Sequence, residues 1–156
     1  MRGTRGFTYI GLLFAIAFIG LLLASAGQVW KMAAQREREE QLLFVGREFG
    51  RAIAAYRAAS PAEPKQGPRR LEDLVEDRRS LVTRRHLRRI YHDPMTGSTE
   101  WGLIKSGEFI VGVHSLGEGR PLKTANFDPG EEAFAGAASH RDWHFLATTQ
   151  PAPRPQ

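Results

Sequence analysis

The chain has 156 residues, 42% of them hydrophobic and 25% charged, with a formal charge of +5, a pI near 10.1 and no cysteine. That length suits one small domain fed by a stalk, and the lack of cysteine excludes a disulfide framework or a thiolate metal site. The charge is mild, so the high pI reflects abundant arginine rather than a strong field that would by itself define a nucleic-acid-binding protein.

From Phe7 to Val29 runs a stretch of 23 positions without a charged residue. As a helix it spans roughly 35 Å, enough to cross a bilayer. Arg2, Arg5 and the chain amine precede it, so this flank is expected to stay cytoplasmic and everything after Trp30 to lie outside. A cleaved secretory signal is the competing reading, with Ala24-Ser25-Ala26 as its small-residue site and removal after Ala26. Its apolar region would be shorter, about 7–15 residues, and it would have no reason to run on into a second helical pattern.

That pattern follows from Lys31 to Ala59, free of proline and rich in Ala, Leu, Glu, Gln and Arg, all good helix formers. Leu42, Val45, Phe49, Ile53 and Tyr56 recur at steps of three and four, one apolar stripe suited to seat a small sheet. Arg36-Glu37-Arg38-Glu39-Glu40 reads as a solvated collar, and Ser60-Pro61 ends the helix. Counted from Phe7, the rod would be about 80 Å long.

Beyond it, Pro61 to Pro68 is a loop by composition. Leu71 to Glu76 reads as a short helix with Leu71, Leu74 and Val75 inward. Leu81 to Tyr91 is arginine-rich, and His92-Asp93-Pro94-Met95-Thr96-Gly97 is turn chemistry. Two strands, Glu100–Lys105 and Glu108–Ser115, form a predicted hairpin in which Phe109, Val111 and Val113 alternate with Ile110, Gly112 and His114. Phe127 and Phe134 are expected to pin a long loop to the sheet, and Trp143 to Leu146 to return as an edge strand. The Pro-rich tail 148–156 is expected to be disordered.

Gly6-Phe7-Thr8 before a long apolar helix resembles the class III signal of the type IV pilin and type II secretion pseudopilin superfamily. The resemblance implies that a prepilin peptidase cuts between Gly6 and Phe7 and N-methylates Phe7, leaving the apolar helix on the protein as the packing core of a filament. The family usually carries Glu at the fifth mature position, where it is thought to pair with a neighbour's terminal amine; here that position is Gly11. The omission favours a minor, tip or accessory subunit over a self-assembling major one.

The order Pro68, Leu71-Glu72-Asp73-Leu74, then Leu87-Arg88-Arg89-Ile90 into Asp93-Pro94, then Trp101 and Val113-His114-Ser115-Leu116-Gly117 is similar to the head of the major-pseudopilin-like group of type II secretion. That group often binds calcium after its Ser-Leu-Gly turn, through about six or more oxygens. Glu118, Asp128 and Asp142 are the candidate donors here, with Glu131 and Glu132 nearby, but Arg120 and Lys123 interrupt them and no aspartates cluster beside Gly117. The reading therefore carries no cofactor, with calcium at these residues as its alternative.

No catalytic pattern is present. Ser115 and Ser139 lack a nucleophile-elbow context, and neither a Gly-rich phosphate loop nor HExxH occurs. Of His86, His92, His114, His140 and His144, only the last two are closely spaced; on a strand they would share a face about 13 Å apart, too far for one metal. Between Arg69 and Arg89 stand eight arginines against Glu72, Asp73, Glu76 and Asp77. They read as a locally paired solvated surface or as a docking face for an acidic partner or an anionic membrane, and no aromatic platform supports nucleic-acid binding.

The expected fold is α+β, a long N-terminal helix with a membrane-spanning half and a periplasmic amphipathic half packed on a small antiparallel sheet, pilin-like. Its parts are leader 1–6, transmembrane helix 7–30, helix 31–60, head 61–147 and tail 148–156. The resemblance implies a non-enzymatic pseudopilin-like subunit of the bacterial inner membrane, N-terminus cytoplasmic and head periplasmic. Its implied partners are the prepilin peptidase, other pseudopilins and the inner-membrane assembly platform. The alternatives are a minor type IV pilin of adhesion or DNA uptake and an unprocessed signal-anchored periplasmic adaptor.

Overall fold

The computed structural model describes residues 5–147, and within the first helix the side chains at 5–8 and 22–29 are not part of that description. The tail 148–156 and most of the leader 1–6 therefore lie outside the described residues. The chain divides into two compact units, Met1–Glu37 and Arg38–Gln156.

Helix α1, Arg5–Ala58, supplies the helical part of the first unit and opens the second. In the second unit the apolar stripe is the core: Leu42, Val45, Phe49, Ile53 and Tyr56 are all buried, joined by Leu43 and Ala52. Steps of three and four keep these side chains on one side of the helix, which is why a local pattern suffices to place them. Helix α2 is Glu72–Val75, with Leu74 fully buried. The Asp73 carboxylate accepts the backbone N–H groups of Arg69 and Arg70 at 3.1 and 3.0 Å, fixing the turn that enters α2.

Three strands, β1 (Gly102–Ser106), β2 (Phe109–His114) and β3 (His144–Leu146), form an antiparallel sheet in the order β1-β2-β3. Gly107, at φ +61°, makes the β1–β2 turn. The strict alternation read along β2 needs correction. Ile104 pairs with Gly112 and its neighbour Lys105 with Ile110, so Val111 is an extra residue, a β-bulge. One inserted residue reverses the side-chain parity; Ile110 and Val113, opposite in the simple alternation, are consequently both fully buried.

The α1 stripe and the sheet enclose an aromatic core. Phe49 meets Trp101 at 5.0 Å between ring centroids, and Phe134 stacks on Trp143 at 5.5 Å with Phe127 edge-on to both. The 3-10 turn Glu132–Phe134 thus pins the 117–142 loop to the core through Phe134. Strand β3 lies close against α1 because two helix positions lack a side chain: a Cβ on Gly46 would fall 2.4 Å from the Phe145 ring, and one on Gly50 2.7 Å from the Leu146 carbonyl oxygen.

Candidate assembly surface and buried anchors

In the first unit, Tyr9, Ile10, Leu12, Leu13, Phe14, Ile16, Phe18, Ile19 and Leu21 are all exposed, from 48% at Leu13 to 73% at Phe14. At about 100° per residue these positions point in every direction around α1. A helix apolar on all sides is one that other apolar groups surround, either protein or lipid. Among the described residues no helix is long and apolar enough to cross a membrane; the side chains of 22–29, inside the span expected from the sequence, are not among those described. Gly6 and Phe7 lie in the first turn of α1, and the Phe7 side chain is outside the described residues. At Gly11 a Cβ would meet nothing within 4 Å.

The second unit is organised by three buried carboxylates, Glu39, Asp77 and Asp93, exposed by 2%, 3% and 0%. Glu39 corrects the solvated collar expected at 36–40. Arg36, Glu37, Arg38 and Glu40 are exposed, but Glu39 accepts the backbone N–H groups of Leu122 and Lys123 at 2.8 and 2.9 Å and lies 3.1 Å from His140 Nε2. It sits three residues before Leu42 and four before Leu43, so it extends the buried stripe backwards. That phase was the signal in the sequence; a charged residue on an apolar stripe announces a partner brought from elsewhere.

Asp77 ties the 76–87 segment to the C-terminal end of α1. It binds Arg79 Nη2 and Nε at 2.7 and 2.9 Å and His86 Nε2 at 3.0 Å, while Arg79 donates to the Tyr56 carbonyl at 2.8 Å and lies 3.5 Å over the Tyr56 ring. The Arg79 hydrogen bond is the main reason the Asp77 carboxyl is held well below the usual carboxylate range. Asp93 accepts from Ser115 Oγ at 2.7 Å and from the backbone N–H groups of Met95 and Leu116 at 2.9 and 3.1 Å, closing the turn before β1. Ser115 is thereby a buried structural hydroxyl that also accepts the Gly117 N–H.

The candidate calcium donors are engaged separately. Glu118 pairs with Arg141 at 3.3 Å, Asp128 with Arg47 at 2.8 Å, and Asp142 accepts the Ser139 N–H at 2.9 Å as part of a capping box. Glu131 makes a two-pronged pair with Arg47 at 2.6 and 2.7 Å, and Glu132 accepts from Gly130 N–H, which lowers its pKa. Among the described residues no three His, Asp or Glu side chains are grouped to hold a metal. The shared strand face for His140 and His144 is also corrected. His140 belongs to the 3-10 turn His140–Asp142 and is fully buried, whereas His144 lies in β3 beside His114, 5.5 Å between rings.

The eight arginines separate into two sets. Arg69 pairs with Glu108 at 2.9 Å, Arg70 with Asp73 at 3.5 Å, Arg78 with Glu76 at 2.9 Å and Arg79 with Asp77 at 2.7 Å. Arg84, Arg85, Arg88 and Arg89 are exposed and form no ion pair among the described residues; Arg89 lies over the Tyr91 ring at 5.4 Å. Comparison with protein-family models, with curated proteins and with solved structures finds no match to this chain. What the structure defines is an α+β protein, a long helix with a small three-stranded antiparallel sheet.

Proposed function

We propose that this chain is a pseudopilin-like structural subunit of a type II secretion or related pilus-like assembly. It is anchored in the bacterial inner membrane by residues 7–30, with its head on the periplasmic side. The observation that carries the reading is the ring of exposed apolar side chains over residues 9–21. Each would gain about 1.5–3 kcal/mol on leaving water, so the helix demands lipid before assembly and sister helices after it. Gly6-Phe7-Thr8 supports the same reading by resemblance, with prepilin peptidase cutting after Gly6 and methylating Phe7.

The function is mechanical. Subunits wait in the bilayer, an assembly platform extracts them, and their apolar helices bundle with those of other pseudopilins in a short filament that serves protein export. A carboxylate at hydrocarbon depth is costly unless paired; Gly11 offers none, so contacts at that level are apolar. That favours a minor or accessory place. Intact mass and N-terminal sequencing of protein from native membranes, with and without the host prepilin peptidase, test the reading. The expected chain begins at N-methylated Phe7 only when the peptidase is present. Retained Met1 would assign a signal-anchored adaptor, and a start after Ala26 a secreted domain; either overturns the proposal.

A further inference from the structure

We infer that the segment Leu81–Arg89 is a docking surface for an acidic protein partner that also offers an apolar contact to Leu81 and Val82. The inference stands on the second unit alone and does not depend on how the chain is anchored. Its first ground is where the charge is uncompensated. Within residues 69–79 every arginine has a carboxylate partner, and Asp73, Glu76 and Asp77 are each consumed in those pairs. Residues 84–89 hold four arginines and no acid, and none of the four forms an ion pair among the described residues. The rest of 38–147 has more acids than bases, so this is a local excess rather than a generally basic surface.

The second ground is apolar exposure at the same place. Leu81 is fully exposed and Val82 is 73% exposed, whereas Leu87 in the same segment is buried among the core residues. Arginine is enriched at protein interfaces, and here the exposed aliphatics offer an apolar contact in the same segment as four unpaired arginines.

The third ground is that the segment is held in place. A bridge between Asp77 and Arg84 closes its base with backbone hydrogen bonds of 2.8 and 3.0 Å, and the His86 and Leu87 N–H groups both reach the Leu74 carbonyl at 2.9 Å. The apolar pair is thus presented on a fixed loop, which lowers the ordering cost of binding. Two aliphatic side chains are a small insertion for a lipid surface. They suit a protein pocket, with the arginines setting orientation and encounter rate.

The test uses the full chain in detergent micelles and a fluorescent peptide of about 15 residues, rich in Asp and Glu around a central Leu-Phe pair. Binding is read by anisotropy at low and high salt. Reversal of Arg84, Arg85, Arg88 and Arg89 to Glu is expected to weaken binding by about tenfold or more, and the wild-type affinity to fall with salt. Leu81→Ser is expected to weaken it by about threefold or more with the salt dependence kept. Arg70→Ala and Arg78→Ala, which remove paired arginines, are expected to leave it within about twofold. Near-ultraviolet circular dichroism of each variant separates lost binding from lost fold. Equal losses at the paired and unpaired arginines, no peptide binding, or equally tight arginine-dependent binding to phosphatidylglycerol vesicles or duplex DNA would each overturn the inference.

Discussion

Helix α1 runs unbroken from Arg5 to Ala58, yet its two stretches present opposite chemistry. Over residues 9–21 large apolar side chains point in all directions and are exposed. Over residues 39–56 a single stripe is buried, and the opposite side carries exposed residues such as Glu40 and Phe44. Being helical does not separate the two. Periodicity does: a stripe is covered from one side, whereas an all-round apolar surface takes apolar cover on every side.

The largest effect is expected from removing the charge that interrupts the stripe. Glu39→Ala leaves the N–H groups of Leu122 and Lys123 and the His140 ring without their shared acceptor inside the core. Breaking such a buried set costs about 3–5 kcal/mol. Glu40→Ala, one residue away and exposed, should stay within about 0.5 kcal/mol. Chemical denaturation followed by tryptophan fluorescence, which reports on buried Trp101 and Trp143, separates these outcomes; equal effects would show that the stripe ends at Leu42.

Glu39 also marks how far the sequence was legible. The stripe from Leu42 to Tyr56 and the Gly107 hairpin were readable because their causes are local, a helical period and a turn residue with positive φ. The partners of Glu39 stand 83, 84 and 101 residues away, so nothing near it distinguishes it from its solvated neighbours except its phase. The Val111 bulge escaped for a related reason, since register is a property of two strands and alternation was read along one. The arginine segment was legible as a total but not as a division, because pairing depends on which carboxylates the fold brings within reach. Asp73, Glu76 and Asp77 lie beside the first four arginines in sequence, but only the folded loop shows that Asp77 turns inward to Arg79 and His86.

A second charged anchor in the same unit gives a smaller, pH-dependent effect. Asp77→Asn keeps the shape of the side chain but removes the anion that Arg79 and His86 share, a loss of about 2 kcal/mol at neutral pH for hydrogen bonds to a charged group. The sign follows from the depressed carboxyl. Its contribution is whole above the ordinary value of 3.8 and declines as pH falls below it toward the folded-state value. Denaturation midpoints of wild type and Asp77→Asn, well apart at pH 7, should therefore converge as acid is added below about pH 4. Parallel curves would show that Asp77 stabilises by packing and not by charge.

The smallest effects come from glycines, and they differ in sign between the two stretches of α1. Alanine is favoured over glycine in a helix by about 1 kcal/mol. At Gly11 nothing lies within 4 Å of a new Cβ, so Gly11→Ala should gain up to about that amount, read as a higher thermal midpoint of helical circular dichroism in micelles. At Gly46 the same methyl group would stand 2.4 Å from the Phe145 ring, itself buried beneath the helix. The ring has to move or β3 has to lift away, and overpacking of this kind should outweigh the propensity gain and leave a net loss of about 1.5 kcal/mol. One substitution, made twice in one helix, thus stabilises where nothing stands within reach of the new methyl group and destabilises where a packed ring already fills the space. A gain at Gly46 would mean that β3 is not seated on α1, and with it the account of why this stretch needs glycine would fall.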